Sequence, residues 1–233
     1  MFDLFESDSG YPLEEQLGLV AEIVQSFASS LNIDETLHTA IEKFIQYLNA
    51  EAASIFLING DNELICRGCA GPVDITGLRL PATAGIVGKT IMSRTSQIVR
   101  DVRDDPDFAR EVDKDTGFVT RSILCAPLLV QDQCIGALEL INKNSGDGLF
   151  DRRDENMLVA LASAAALAIH NARMAEKLVQ QERLQKELEL AREIQEGLLP
   201  AEPAPAVPVR RINQPPRVGS GDVYEFFPRG AGR

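Results

Sequence analysis

The chain has 233 residues, 45% hydrophobic and 25% charged, as expected of a globular protein with a buried core. Its formal net charge of −12 disfavours broad electrostatic binding to nucleic acid or to an anionic membrane. The acidic N-terminus lacks the pattern of a secretory signal, and the most apolar stretch, 157–169, is too short to span a bilayer. We therefore expect a cytoplasmic protein that binds neither nucleic acid nor membrane.

Two helices are predicted at the start of the chain. Apolar residues recur at helical spacing over 13–30. Asn32 or Asp34 then caps a second helix, whose apolar face runs from Leu37 to Leu48. Residues 1–14 are predicted to be an N-terminal tail.

Strands follow, as short β-branched segments bounded by Gly, Asn and Asp. They occupy residues 52–59, 63–69, 78–81, 96–101, 122–130 and 134–142. Gly85 opens a short helix that ends near Arg94, and 101–116 is a polar segment without an assigned element. Residues 151–199 predict one long helix. Helices at both ends with strands between them indicate an α+β fold around one antiparallel sheet.

The end of the long helix carries a short coiled-coil pattern. Its apolar positions step by four and three residues and are Leu184, Leu188, Ala191, Gln195 and Leu198, which we call the seam. Helices of this length usually pair, so a parallel homodimer is expected. A charged helix exposed to solvent is the alternative.

Cys66 and Cys69 form a C-x-x-C pair, which could indicate a metal or redox site. They fall in a predicted strand, where residues three apart point to opposite faces. Buried, reduced thiols are therefore the favoured interpretation.

Two motifs in this order resemble those of GAF domains, the small-ligand sensor modules of phosphodiesterases, adenylyl cyclases and many bacterial regulators. The first is the stretch Thr116 to Arg121, similar to the T-G-F-x-T-R of cyclic-nucleotide-binding members. The second is the family signature Asn142, Lys143, Phe150, Asp154 and Glu155. The resemblance covers residues 15–178 and implies a GAF-like sheet flanked by helices. An ion pair between Lys143 and Asp154 that holds the last strand to the final helix is the favoured role of the signature.

The resemblance also implies a pocket for a small molecule, with a cyclic nucleotide as the candidate ligand. The positions that would line it are Ser54, Cys69, Ala70, Ile86, Val87, Thr116, Thr120 and Glu139. Relatives often carry an aromatic residue where Cys69 stands and a polar one where Ala70 stands. We therefore expect weak binding with little preference between adenine and guanine.

A helix start near Gly85 and Gly88 is suited to a phosphate, because its N–H groups are free and its dipole end is positive. An ordinary helix entry is an equal alternative. Of the pocket candidates, Glu139 stands out because a carboxylate on a strand needs a partner.

The C-terminal part carries a second resemblance, to PP2C-type serine/threonine phosphatases that regulate sigma factors in bacteria. The stretches that carry it are 191–200 and 220–226, in a Pro-rich tail over 200–233. In that family the aspartate that matches Asp222 binds a catalytic Mn²⁺ or Mg²⁺. The other acidic ligands come later than Arg233, so no cofactor and no catalytic residue are expected within these residues.

Three functions are consistent with these observations. The first is a ligand-sensing module over 15–178, joined by a coiled-coil linker over 179–199 to a phosphatase domain that begins in 200–233. The second is an active phosphoprotein phosphatase, if the chain is a fragment. The third is a dimerisation module whose pocket has closed.

Overall fold

A computed structural model describes residues 18, 21–22, 25, 33–60, 62–103 and 105–198. Of the predicted helix over 13–30 it describes only Gly18, Ala21, Glu22 and Gln25, and each of them is helical. Asn32 and the predicted tail over 200–233, including Asp222, lie outside the described residues.

Between residues 33 and 198 the structure describes six strands and four helices. In chain order they are α1 (Ile33–Leu48), β1 (Ala50–Ile58), β2 (Glu63–Ala70), β3 (Arg79–Pro81), α2 (Gly85–Ser93), β4 (Gln97–Val99), α3 (Arg110–Thr116), β5 (Ile123–Val130), β6 (Gln133–Lys143) and α4 (Arg152–Leu198). The strands form one antiparallel sheet in the order β3-β2-β1-β6-β5-β4. The predicted α+β fold class is confirmed, whereas α3 lies in the polar segment to which no element was assigned.

The chain divides into two compact units, 1–172 and 173–233. In the first unit, one face of the sheet packs against α1 and the first part of α4. The buried residues of this core include Ile41, Phe44, Leu140, Leu158 and Leu161. The second unit, as far as it is described, is the helical segment 173–198, where Leu178, Leu184 and Leu190 are exposed. The predicted domain limits at 14, 178 and 199 remain predictions.

The opposite face of the sheet carries a second buried cluster, which packs against α2. Phe56, Leu64, Cys66, Cys69 and Ile86 belong to it. This face holds the candidate site described below.

A β-bulge in β2 corrects the predicted orientation of the two cysteines. Ile55 pairs with Gly68 but Phe56 pairs with Cys66, so Arg67 is the extra residue of the bulge. The extra residue reverses the alternation of side chains. Cys66 and Cys69 therefore lie in the same buried cluster rather than on opposite faces.

The beginning of α4 is capped by its own acidic residues. Asp151 Oδ1 accepts hydrogen bonds from the backbone N–H groups of Arg153 (2.8 Å) and Asp154 (3.0 Å). Asp154 Oδ2 in turn accepts one from the Asp151 N–H at 3.1 Å. This reciprocal arrangement satisfies N–H groups that a helix start leaves without partners.

The apolar segment of α4 is longer than the sequence interpretation allowed. An 18-residue window is long and apolar enough, by composition, to cross a membrane, and 33% of it is buried inside the structure. The core helix of a soluble domain has the same composition, and Leu158, Leu161 and Ile169 are fully buried against the sheet. Core packing accounts for these three residues, whereas Val159, Leu167 and Leu178 of the same helix are exposed.

Candidate ligand-binding site

A cavity lies on the α2 side of the sheet. Its volume is about 90 Å³, below the range of about 300–1,000 Å³ typical of small-molecule pockets. All eight residues predicted to contact a ligand line it: Ser54, Cys69, Ala70, Ile86, Val87, Thr116, Thr120 and Glu139. They come from β1, β2, α2, α3, β6 and the segment before β5, so the fold brings together residues up to 85 positions apart in the chain.

The floor of the cavity is a row of polar side chains that crosses the sheet. Ser54 on β1 pairs with Cys69 on β2 on one side and with Glu139 on β6 on the other. Glu139 pairs in turn with Cys125 on β5. Because directly opposed residues of neighbouring strands share a face, all four side chains lie on the cavity side of the sheet.

Glu139 is the buried acid of this row. Only 8% of the residue is exposed, and Ser54 Oγ donates a hydrogen bond to its Oε2 at 3.3 Å. Burial in an apolar environment raises the pKa of Glu139 from 4.5 to about 7; the Ser54 hydrogen bond partly opposes this, and the nearby Asp113 charge adds to it. The carboxyl group can therefore be either neutral or ionised near neutral pH.

Helix α2 begins at the wall of the cavity. Its N-cap residue, Ala84, has no side-chain oxygen to accept a hydrogen bond. Ile86 and Val87 are buried there and line the cavity. Gly88 permits this placement, because a Cβ at its position would lie 2.4 Å from the carbonyl carbon of Thr83.

The two predicted threonines make hydrogen bonds within the wall of the cavity. Thr120 donates twice to Asp113 on α3, from its N–H to Oδ2 (2.8 Å) and from Oγ1 to Oδ1 (2.7 Å). We call this pair of contacts the Asp113–Thr120 bridge. Thr116 Oγ1 donates to the carbonyl oxygen of Val112 at 2.7 Å and accepts from the N–H of Phe118. Their hydroxyl oxygens can still accept a hydrogen bond from a ligand.

The thiol of Cys69 belongs to the turn after β2. Its Sγ accepts a hydrogen bond from the N–H of Ile75 at 3.2 Å and lies 3.2 Å from Asp74 Oδ1 and 3.4 Å from Thr76 Oγ1. Hydrogen bonds from Thr76 and Cys69 lower the pKa of Asp74 to about 2. Cys69 therefore holds this turn beside the cavity, next to Ala70.

Sequence reasoning did not identify Asp113, Phe108 or Phe118 as cavity residues, yet all three line it. The aromatic side chains occupy the α3 region rather than the position of Cys69. Phe108 lies in the polar segment with no assigned element, and this is the signal that could have indicated it, because such a ring needs an apolar surface to cover it.

The signature residue Asn142 connects β6 to the segment that carries Thr120. Its backbone has a φ of 57° and its side chain is fully buried. The side-chain oxygen accepts from the N–H groups of Arg121 (2.7 Å) and Ser122 (3.3 Å). The side-chain nitrogen donates to Val119 O (2.9 Å) and Glu51 Oε2 (2.8 Å). Asn142 thus fixes the backbone on both sides of Thr120.

The other signature residues join β6 to α4. Lys143 Nζ donates to Asp154 Oδ1 at 2.6 Å and to the carbonyl oxygen of Leu48 at 2.9 Å, and it lies 5.8 Å from the centre of the Phe150 ring. Glu155 accepts hydrogen bonds from Ser96 and Arg152. The structure does not bring these side chains into the cavity.

Among the residues that the structure describes, no group of three or more His, Cys, Asp or Glu side chains is placed to hold a metal ion. Burial raises the pKa of the Cys66 and Cys125 thiols well above the ordinary value, so they are poor thiolate ligands. The described part of the chain therefore offers the cavity and no metal centre.

Comparison with known proteins shows which family has this architecture. The chain is 26% identical over 167 residues to the probable 3′,5′-cyclic phosphodiesterase pde-5 of Caenorhabditis elegans; the match covers 65% of the chain and only 22% of that relative. The fold is similar to the GAF domain of a Coxiella burnetii phosphoenolpyruvate-protein phosphotransferase (TM-score 0.62, 21% identity, 70% of this chain and 98% of that one). It is also similar to free methionine-R-sulfoxide reductase from Neisseria meningitidis (TM-score 0.59, 21% identity, 72% and 96%). A family model described as "GAF domain" matches residues 32–169, and the chain belongs to the GAF domain family.

Proposed function

We propose that this protein is a cytoplasmic signalling regulator, and that its GAF domain senses a small molecule, with a cyclic nucleotide as the ligand. The observation that carries the proposal is the convergence of all eight candidate residues on one cavity. The similarity to a 3′,5′-cyclic phosphodiesterase supports this class of ligand.

In this proposal the phosphate of the nucleotide lies at the start of α2, near the N–H groups of Ile86 and Val87. A helix start suits an anion because its N–H groups lack acceptors and its dipole end is positive. Thr116 and Thr120 would approach the ligand from the α3 side, and Glu139 from the sheet. Phe108 and Phe118, which line the cavity, offer apolar contact to a base or a ribose.

Calorimetry with cyclic AMP and cyclic GMP tests the proposal. We expect either nucleotide to bind at micromolar to millimolar affinity and to raise the thermal unfolding temperature. The matched controls are 5′-AMP and inorganic phosphate, which carry the charge without the cyclic diester. Failure of both cyclic nucleotides to bind would rule out this class of ligand.

We further propose that α4 transmits ligand binding as a homodimer, and that its output in a longer chain is a PP2C-type phosphatase domain. Exposed leucines on the segment 173–198 favour a second copy as the partner of this helix. In such a chain Asp222 would hold Mn²⁺ or Mg²⁺ together with later acidic residues, and a phosphoprotein would be the substrate.

The alternatives are a dimerisation module without a ligand, or a phosphatase that is active in a longer chain. Phosphatase assays with Mn²⁺ on this chain and on a chain extended beyond Arg233 distinguish them. Activity in the extended chain alone, altered by a cyclic nucleotide, is the expected result. If a cyclic nucleotide does not change the phosphatase activity of the extended chain, the result favours a dimerisation module over a ligand sensor.

A further inference from the structure

The C-x-x-C pair of β2 is a motif that the proposed function does not use. Cys66 pairs with Phe56 of β1. Cys69 pairs with Ser54, which lies two positions away on the same strand. Because residues two ladder positions apart share a face, both thiols belong to one side of the sheet and to one buried cluster. The bulge at Arg67 thereby removes the geometric reason for excluding a redox role of this motif.

The spacing of the two cysteines suits a disulfide. Residues on one face of a strand, two ladder positions apart, have Cα atoms separated by about 6.6 Å. Disulfides join Cα atoms that are about 4.4–6.8 Å apart. The two thiols also interact, because the Cys69 thiol is one of the groups that, after burial, raise the pKa of the Cys66 thiol. Both are free thiols in the structure.

Cys69 is the member of the pair that a reagent in the cavity can reach. Its side chain lines the cavity, whereas Cys66 is not among the described residues that do so. The Cys69 thiol donates a hydrogen bond to Asp74 Oδ1 at 3.2 Å, and its sulfur accepts one from the N–H of Ile75 at 3.2 Å. The carboxylate can accept the thiol proton, and the N–H group can stabilise negative charge that develops on the sulfur during attack.

We propose that Cys66 and Cys69 form a redox-sensitive dithiol, which a small peroxide oxidises to a disulfide. The Cys69 sulfur attacks hydrogen peroxide and breaks its O–O bond, which leaves a sulfenic acid and releases one water with the thiol proton. The Cys66 sulfur then attacks the Cys69 sulfur. The S–S bond forms as the S–O bond breaks, and the hydroxyl group leaves with the Cys66 proton as a second water. The two sulfurs lose two electrons, and the peroxide gains them.

This modification is independent of the ligand that the cavity holds. Disulfides inside cells are usually transient and serve catalysis or redox sensing. Reduction by a dithiol returns both cysteines to the thiol form, so the change is reversible. The pair therefore adds a second input, an oxidant, to a domain that is proposed to sense a small molecule.

One turn connects the dithiol to the cavity. The N–H of Gly77 donates to the carbonyl oxygen of Cys66 at 2.8 Å, and the Cys69 thiol contacts Asp74 and Ile75 of the same turn. Oxidation removes the thiol proton that Cys69 donates to Asp74 and draws its sulfur toward Cys66. The N–H of Ile75 then loses its acceptor. Because the Ile75 side chain lines the cavity, the disulfide loosens one part of the cavity wall.

The experiment exposes the native full chain to hydrogen peroxide and then labels the remaining thiols with N-ethylmaleimide in denaturant. Trypsin cleaves after Arg67, between the two cysteines, so their disulfide would link the tryptic peptides 44–67 and 68–79. Mass spectrometry should find these peptides linked, lighter by two hydrogen atoms than the separate reduced peptides. Dithiothreitol should separate them. The number of labelled cysteines should fall from four to two.

Two variants test the order of the steps. Cys66→Ser should form no linked peptides and should leave a sulfenic acid at Cys69, which dimedone traps. Cys134→Ser is the matched control, because Cys134 lies on β6 and is not among the described residues that line the cavity. It should retain the linkage of the wild type. If Cys66→Ser does not fold, the peptide map of the wild type still decides the proposal.

The linked peptides, together with faster hydrogen exchange at the N–H of Ile75 in the oxidised protein, support the proposal. Four labelled cysteines after peroxide treatment would overturn it. Linkage of either peptide to 122–143, which carries the other two cysteines, would also overturn it. So would a sulfinic acid at Cys69 without linkage, because Cys66 would then fail to reach the Cys69 sulfur. A disulfide that leaves the exchange of Ile75 unchanged would overturn the effect on the cavity wall.

Discussion

Lys143 Nζ lies 2.6 Å from Asp154 Oδ1, and the two side chains are only 12% and 13% exposed. The same lysine also donates to the carbonyl oxygen that ends α1, and the same aspartate caps α4. One ion pair thus connects α1, β6 and α4. Its partners cannot be removed singly without leaving a nearly buried charge.

Lys143→Met is therefore expected to lower the free energy of unfolding by about 3 kcal/mol, because Asp154 loses its counter-charge while staying buried. Arg100→Met is the control, since Arg100 and Asp147 form an ion pair with more than 60% of each side chain exposed. Its cost should stay below about 1 kcal/mol. Urea unfolding measures both, and equal losses would contradict the structural role of Lys143.

Glu139 should make the domain less stable as the pH rises. Its pKa is about 7 in the folded protein against an ordinary value of 4.5, so the folded state binds the extra proton between these values. Stability from this group is complete below pH 4.5 and is lost as the pH rises to 7, on the order of 3 kcal/mol in total. Urea unfolding at pH 5 and pH 8 should show this loss in the wild type relative to Glu139→Gln. A parallel pH dependence in the two proteins would contradict the raised pKa.

Thr120→Val should weaken cyclic-nucleotide binding roughly tenfold or more. The substitution removes a hydroxyl from the cavity wall and one contact of the Asp113–Thr120 bridge, and a hydrogen bond to a charged group contributes about 1.5–3 kcal/mol. Thr95→Val removes an exposed hydroxyl away from the cavity and is the control. Calorimetry that gives equal affinities for both variants would exclude a role of Thr120 in binding.

Replacing Leu184 and Leu188 by Glu should convert the proposed dimer to a monomer. The two side chains are 57% and 40% exposed in a single chain, and a second helix would cover them. Charges at these seam positions would then be buried without partners. Leu190→Glu is the matched control, because Leu190 is 57% exposed but lies outside the seam. Light scattering at micromolar concentration that finds the wild type monomeric would rule out the dimer.

Local patterns were sufficient to predict the fold class. Short β-branched segments bounded by turn residues located every strand except for small differences at the ends, and α1, α2 and α4 were also predicted as helices. Helix α3 was missed because Arg110–Thr116 is almost entirely polar, with no apolar stripe to reveal it. Asp113 of this helix lines the cavity and accepts hydrogen bonds from Thr120. No local sequence pattern encodes that contact.

The candidate residues came from resemblance, and their convergence depends on strand register. Ser54 and Glu139 are far apart in the chain and become neighbours because β1 pairs with β6. The orientation of Cys66 and Cys69 was predicted wrongly, since strict alternation was assumed where Arg67 interrupts the ladder. Such a bulge is set by pairing with β1 and has no reliable signal in a single strand.

The bulge at Arg67 keeps Cys66 and Cys69 on one face of β2, so both ends of the strand contribute to the same buried cluster. Before the bulge, Leu64 and Cys66 belong to the cluster beside α2. After the bulge, Gly68 faces α1, where an added Cβ would come within 3.0 Å of Ile41 Cδ1. Cys69 faces the cavity. Substitutions at Cys69 therefore affect the cavity and the buried cluster beside α2 together. Deletion of Arg67 would leave these faces unchanged, because Cys66, Gly68 and Cys69 would keep Phe56, Ile55 and Ser54 as their partners in a regular ladder.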